Sequence, residues 1–400
     1  MGAIKPTKPG KAFFAPQFFS LMIGAPDRNI KDGDDVCRFA ADCGLAGINL
    51  PIGMINVPRM LEDDEFFGKT VDHYRSLGTP IVGVSSHTDG QLVSVHSAHL
   101  PRFKDFAPED QREYSVRTQE MSATKRICDG LRLGKKLGTT LHQTFPGGRG
   151  VPHHDQWSTL QEKFRELALL HLALQWQPIA DVAAECGQRL GFEIGHVMEG
   201  IQSVDDLTIF HDFIEGDAAK RAIKWGVDTS HFDKEGDDAI GEVDRAIEAD
   251  LDIPGHAKDA IFDMFDGGRH RQNALPFAKQ AGKFCTFGTM SAGSANQFGK
   301  VLWRDHKRTP TGSHAVLEGE DMFILDPFQA MEIGAQNLDL IIDGKAPIRL
   351  DQIALKSWTG KTFEDFAKSS VPISSLLELN MEELTKLCEA AEKHGLPRPQ

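Results

Sequence analysis

WQPIADVAAECGQRLGFEIG, residues 176–195, sets the pattern that decides the fold: an apolar-faced segment runs to Gly187, and a short apolar run follows that carries an acid, Glu193. Runs of the same kind recur as FFSLMIG at 18–24, AGINLPIG at 46–53, PIVGVSSHT at 80–88 and TTLHQTFPG at 139–147. Three more follow: IKWGVDTSH at 223–231, IPGHAKDA at 253–260 and SHAVLEGED at 313–321. Their short, bounded character predicts parallel strands buried on both faces. Helical patterns lie between them. DDVCRFAADCG ends in Gly44, a suitable C-cap. Residues 108–137 begin at Pro108 with acids in the first turn and run to Leu137 and Gly138. Within 176–187, Pro178 marks a break or a helix start.

Regular strand–helix alternation implies right-handed βαβ units, and eight of them close into a (β/α)8 TIM barrel. A doubly wound open sheet is the structural alternative. The barrel is assigned to 1–342, and 343–400 to an extension that packs on the barrel or on a partner subunit. In that extension Asn380 and Glu383 form a capping box, and Gly395 and Pro397 stop the helix. Two long stretches, 89–107 and 261–312, follow strands three and seven, so in a barrel they fall on the face where active sites are built.

The 400 residues carry a formal net charge of −14, with 40% hydrophobic and 26% charged residues. Such a surface disfavours nucleic acid and anionic membranes as partners. It suits solubility, a small carbohydrate and a carboxylate site for a cation. Cys37, Cys43, Cys128, Cys186, Cys285 and Cys388 are scattered and form no C-x-x-C pair, which predicts free thiols in a reducing compartment. MGAIKPTKPGKAFF has no long apolar run before a cleavage site, and no run of about 18 apolar residues occurs. A cytoplasmic protein, with a homo-oligomer left open, is the expectation.

The chemistry gathers at the ends of runs five to eight. Each offers one metal-binding group: Glu193, Asp228, His256 and Glu318. In a barrel those ends are neighbours and converge on one cavity. Three carboxylates and an imidazole suit Mn²⁺ or Mg²⁺, with Co²⁺ or Zn²⁺ possible. An octahedral ion so held keeps two positions for a ketone oxygen and its neighbouring hydroxyl, and acts as a Lewis acid that steadies an enediolate. Singly, each residue has a bland reading: Glu193 as a cap or surface ion pair, His256 as a structural histidine.

The joint pattern of GVDTSH, GHAKDA and VLEGED, with DPFQAMEIGAQNL behind it, resembles the xylose isomerase-like sugar-phosphate isomerase/epimerase superfamily. The likeness continues upstream through GQLVSVHSAHLPRFKDFAPED and PIADVAAECGQRLGFEIGH, and it spans roughly 18–342. It implies a TIM barrel with the metal on Glu193, Asp228, His256 and Glu318. Glu193 and Glu318 are then candidates to move protons on opposite faces of the substrate. The chain departs from the family's E-x-H-P in that Glu193 and His196 stand three apart, and its loop before the seventh helix reads SAGSANQ.

Other residues carry two readings each. His231 bonds a substrate hydroxyl or orients a ligand. Lys258 steadies negative charge or pairs with Asp259 or Glu320. Arg269, in a basic cluster with His270 and Arg271, binds an anionic group or is solvated. His87 and His142 end strands three and four and are expected to line the pocket. The expected activity is isomerisation or epimerisation of a keto-sugar by proton abstraction alpha to its carbonyl. The rival is a lyase that eliminates the aglycone from a 3-oxo-glycoside at the same metal site. A non-catalytic sugar-binding barrel and a metal-dependent nuclease are weaker alternatives: the first leaves four retained ligands unexplained, the second conflicts with the charge.

Overall fold

The computed structural model describes residues 13–16, 33–42, 47–151, 164–195, 199–226, 242, 245–246, 248–253, 256–257, 314–317 and 373–399. Nine short strands occur among them. They are β1 (Phe13–Pro16), β2 (Ile48–Pro51), β3 (Ile81–Ser85), β4 (Leu141–Thr144), β5 (Arg189–Phe192), β6 (Ile223–Gly226), β7 (Asp252–Ile253), β8 (His256–Ala257) and β9 (His314–Leu317). Every pairing is parallel. β2 to β7 follow one another in chain order, and β9 pairs with both β8 and β1. The last strand thus returns to the first, and β1 also lies against β2. β7 bonds β6 and β8 bonds β9, so the two short pieces share the seventh barrel position. Between them in sequence stands Pro254, which has no N–H to give to a ladder.

Helices wrap the outside. They are α1 (Gly33–Asp42), α2 (Val57–Glu62), α3 (Asp64–Ser76), α4 (His87–Val93), α5 (Leu100–Phe103), α6 (Val116–Leu137), α7 (Phe164–Cys186), α8 (Val204–Phe213) and α9 (Asp217–Ala222). The C-terminal pair is α10 (Ile373–Leu376) and α11 (Met381–Lys393). Their ends follow local chemistry. Ser115 accepts from the Thr118 N–H to start α6, and Gly138, at φ 79°, ends it. Asn380 and Glu383 make the reciprocal capping box of α11.

The main core fills the space between sheet and helices. Trp176 of α7 meets Phe192 of β5 edge-on at 4.6 Å, and Phe192 meets Phe210 of α8 at 5.6 Å. Such pairs contribute about 0.5–1.5 kcal/mol each beyond the area they bury. α7 is apolar on two sides because it is covered twice. One side joins that core, and the other packs Phe164, Leu167 and Leu170 against Leu377, Leu387 and Ala391 of the C-terminal segment.

β2 to β6, β8 and β9 fall within the apolar runs read for them, and β7 starts one residue before the run at 253–260. The first strand falls in none of them: β1 is FFAP at 13–16, while FFSLMIG at 18–24 lies outside the described residues. Pro108 opens no long helix. A short turn at Glu109–Gln111 precedes α6, which waits for the Ser115 cap. Pro178 neither breaks nor starts α7 but sits inside it. It lies on the exposed side, where the Leu174 carbonyl that loses its helical donor can turn to solvent. The 89–107 stretch folds into α4, α5 and short turns, and 261–312 lies outside the described residues. Cys37, Cys128, Cys186 and Cys388 are free thiols. No described helix is long and apolar enough to cross a membrane.

Candidate active site at the barrel mouth

The pleat decides which side chains enter the barrel. Asn49 of β2 donates from Nδ2 to Oε1 of Gln143 on β4 at 2.6 Å, passing over β3. Gly83 of β3 leaves that lane open, since a Cβ there would already touch the Asn49 amide at 3.4 Å. Both amides are buried, and Asn49 Oδ1 and Gln143 Nε2 have no hydrogen-bond partner among the described residues. They form a polar floor.

One layer above the floor, three residues follow the ends of β3, β4 and β5. The Glu193 N–H continues the ladder to the Thr144 carbonyl at 2.9 Å, so its carboxylate leaves the end of β5 in a fixed direction. Its Oε2 lies 3.3 Å from Nε2 of His87, the first residue of α4. The His87 ring stands edge-on to Phe145 at 4.9 Å. Glu193 is only 2% exposed. α4 is pinned in turn, because buried Asp89 takes the Arg126 guanidinium of α6 at 2.5 Å. Burial pushes the Asp89 carboxyl up, and Arg126 opposes that push.

A second acid stands behind Glu193. Glu199 is fully buried and accepts the Gly147 N–H at 2.7 Å. Burial drives its carboxyl well above the ordinary range, the Gly147 N–H pulls it down, and the negative charge of Glu193 raises it again. Its Oε1 has no partner among the described residues. Two loops must touch for this. A Cβ on Gly148, at φ 158°, would come within 2.6 Å of Gly200, and the Gly200 N–H bonds the Gly147 carbonyl at 2.8 Å. Glu199 escapes a reading by strand ends, since it lies six residues past Glu193 in a loop. The glycine beside it, facing the GG of FPGG, is the signal that could have found it.

Of the residues expected at the site, the structure brings Glu193 and His87 together. His142 goes the other way. It packs outward against α6, where a Cβ on Gly130 would meet its ring at 3.0 Å, and its Nε2 bonds Ser86 Oγ at 2.7 Å. Complete burial pushes its pKa down to about 3, so it is a neutral wedge between β4 and α6. His256 is described by its backbone alone, opposite Val316 in the β8–β9 pair. Asp228, Glu318, His231, Lys258 and Arg269 lie outside the described residues, as does His196. Among the described residues no group of three His, Cys, Asp or Glu could hold a metal ion.

The sequence matches no protein-family model and no curated protein. Solved structures do match. A xylose isomerase-like TIM barrel protein from Mycobacterium smegmatis, in complex with magnesium, shares 14% identity at TM-score 0.50, over 83% of this chain and 96% of its own. A 3-keto-D-glucoside 4-epimerase from E. coli shares 12% at 0.51, over 83% and 99%. A putative xylose isomerase from Rhodospirillum rubrum shares 13% at 0.51, over 84% and 100%. The likeness establishes the fold: this chain is an α/β TIM barrel.

Proposed function

We propose that this chain is a divalent-metal-dependent isomerase or epimerase of a keto-sugar. The observation that carries the proposal is the placement of Glu193, a buried carboxylate at the C-terminal mouth of the barrel, 3.3 Å from His87 with Glu199 behind it. Conserved chemistry of TIM barrels sits at that face. Glu193 is the group to take a proton from carbon alpha to a carbonyl. His87 orients its carboxylate. Glu199, held toward its neutral form and bonded by Gln91, can donate to a substrate hydroxyl from Oε1, which has no partner among the described residues. A polar floor whose amide atoms are unpaired among the described residues favours a polyhydroxylated ligand over an apolar one.

The metal belongs to the proposal. Glu193, Asp228, His256 and Glu318 would hold it, and a buried acid at the mouth fits such a donor set. When bound, the cation supplies Lewis-acid polarisation that makes the neighbouring C–H more acidic. Mn²⁺ is the first choice, with Mg²⁺, Co²⁺ and Zn²⁺ as alternatives; magnesium accompanies one of the similar barrels. Glu318, on the far side of the site in this reading, would deliver a proton of its own to the opposite face and give an epimer. Delivery of a proton to the neighbouring carbon, with the hydroxyl proton passing to the former carbonyl oxygen, would give an aldose–ketose pair.

The test is exchange of substrate C–H with deuterated water, with and without Mn²⁺, over a panel of ketoses and 3-oxo-glycosides. Label in an epimer or an aldose–ketose isomer of the substrate, with no group released, supports the proposal. Release of an aglycone from a 3-oxo-glycoside assigns a lyase to the site instead, and an absence of label on every substrate refutes proton abstraction.

A further inference from the structure

We infer that the C-terminal segment 373–399 is a positioning element for the site, acting through Arg149 and Glu378. The inference rests on the catalytic reading of Glu193, His87 and Glu199, and it adds a part that lies outside the barrel.

Arg149 stands two residues beyond Gly147, the residue that holds Glu199. Its guanidinium is 4% exposed and fully engaged. Nε and Nη2 donate to Glu120 of α6 at 3.0 and 2.6 Å. Nη1 donates to the carbonyls of Leu377 and Glu378 at 3.2 and 3.3 Å, and to Glu383 of α11 at 3.2 Å. The loop that bonds Glu199 is therefore plugged into the junction between α10 and α11.

The loop that leaves α4 is tied to the same place. Glu378 accepts the Ser97 N–H at 2.8 Å and the Ser97 hydroxyl. It does so from a left-handed backbone, φ 54°, that glutamate rarely adopts. The two loops also bond each other. Ser94 takes the Gly148 N–H on its carbonyl at 2.6 Å and the Arg149 N–H on its hydroxyl at 3.2 Å. His87 begins the helix that ends at Ser94, and Glu199 hangs on Gly147. Both sides of the site thus end on one short C-terminal stretch.

Glue alone would not need this arrangement. The apolar contacts of Leu377, Leu387 and Ala391 with α7 already dock the segment. The loop Phe145–Gly150 has no helix or strand of its own and two glycines at positive φ, so its shape is set by the bonds it makes. Arg149 supplies its bonds to the C-terminal stretch, and a bidentate fork fixes direction as well as distance.

Amide hydrogen exchange on the full chain tests this with Arg149→Lys and Glu378→Gly. Lysine keeps a cation beside Glu120 and Glu383 but loses the fork. Glycine removes the Glu378 carboxylate and relieves its backbone at the same time. The expected result is exchange about tenfold faster over 145–151 and 199–203 in both variants, with the rest of the barrel unchanged. On the substrate that the wild type turns over, kcat falls by about ten- to a hundredfold at nearly constant KM. Glu378→Gln, which still accepts from Ser97, restores both. Faster exchange confined to 373–399, or loosened loops with unchanged kcat, overturns the inference. A wild type that turns over no sugar refutes the proposed function alone, and the exchange pattern then decides whether the segment holds Glu199.

Discussion

Nε2 of His87 and Oε2 of Glu193 meet at 3.3 Å although their strands, β3 and β5, are separated by β4. Phe145, just past the end of β4, fills the space beside them and stands edge-on to the His87 ring. The approach sets an imidazole beside a buried acid that comes from two strands away.

Removing the charge of Glu193 while keeping its shape isolates its chemistry. Glu193→Gln is expected to fold normally and to lose substrate C–H exchange by about 10²- to 10⁴-fold, the span of a positioned general base. Exchange kinetics in deuterated water, with melting temperature as control, check it. Loss of less than about fivefold would remove Glu193 from the proton path.

Glu199 carries its own linkage signature. Its folded pKa is raised above 4.5, so the folded chain binds the proton more tightly than the unfolded chain. Stability therefore falls as pH rises above about 4.5 on account of this group. Glu199→Gln removes that loss, and its stability relative to wild type is expected to improve as pH rises toward 7. Glu199→Leu also removes that loss but leaves the Gly147 N–H without an acceptor, and is expected to be about 1–3 kcal/mol less stable than Glu199→Gln at all pH values. Urea unfolding from pH 4.5 to 7.5 separates the two.

His142 works in the opposite direction. Its folded pKa lies near 3 against an ordinary 6.5, so the unfolded chain takes up a proton first as pH falls. That costs stability from pH 6.5 downward, at up to about 1.4 kcal/mol per pH unit. In His142→Leu the term is absent. The stability gap between wild type and variant is expected to narrow as pH falls from 6.5 to 4, and a gap constant with pH would contradict the buried, neutral assignment.

Arg149 is the buried cation between Glu120 and Glu383. Arg149→Met leaves two buried acids without it and is expected to destabilise the chain by about 3–5 kcal/mol. Denaturant unfolding reads this directly. Arg117, on the rim and half exposed, bonds the same Glu383 at 2.7 Å, and Arg117→Met is expected to cost no more than about 1 kcal/mol.

Much of this was legible in the chain because strands of a parallel barrel are short apolar runs with polar ends. β5 and Glu193 follow from RLGFE alone. The first strand was not, since FFAP and FFSLMIG are both apolar and one residue apart, and the pairing of Phe13 with His314 selects the first. A single step of the pleat separates His142 from the pocket: its neighbour Gln143 faces the lumen, and His142 faces α6. Glu199 depends on two loops touching through glycine, a contact between stretches 52 residues apart that no local pattern encodes. The tie from Arg149 to Glu383 spans 234 residues and is equally invisible locally.

The proposed function requires that Glu193, Asp228, His256 and Glu318 share one cation. Calorimetric titration of metal-stripped protein with Mn²⁺ tests it most directly, in the wild type and in Glu193→Gln, Asp228→Asn, His256→Gln and Glu318→Gln. One tight ion per wild-type chain is expected, with a loss of at least about tenfold in affinity in each variant. Wild-type affinity in all four, or no tight ion in the wild type, would contradict it.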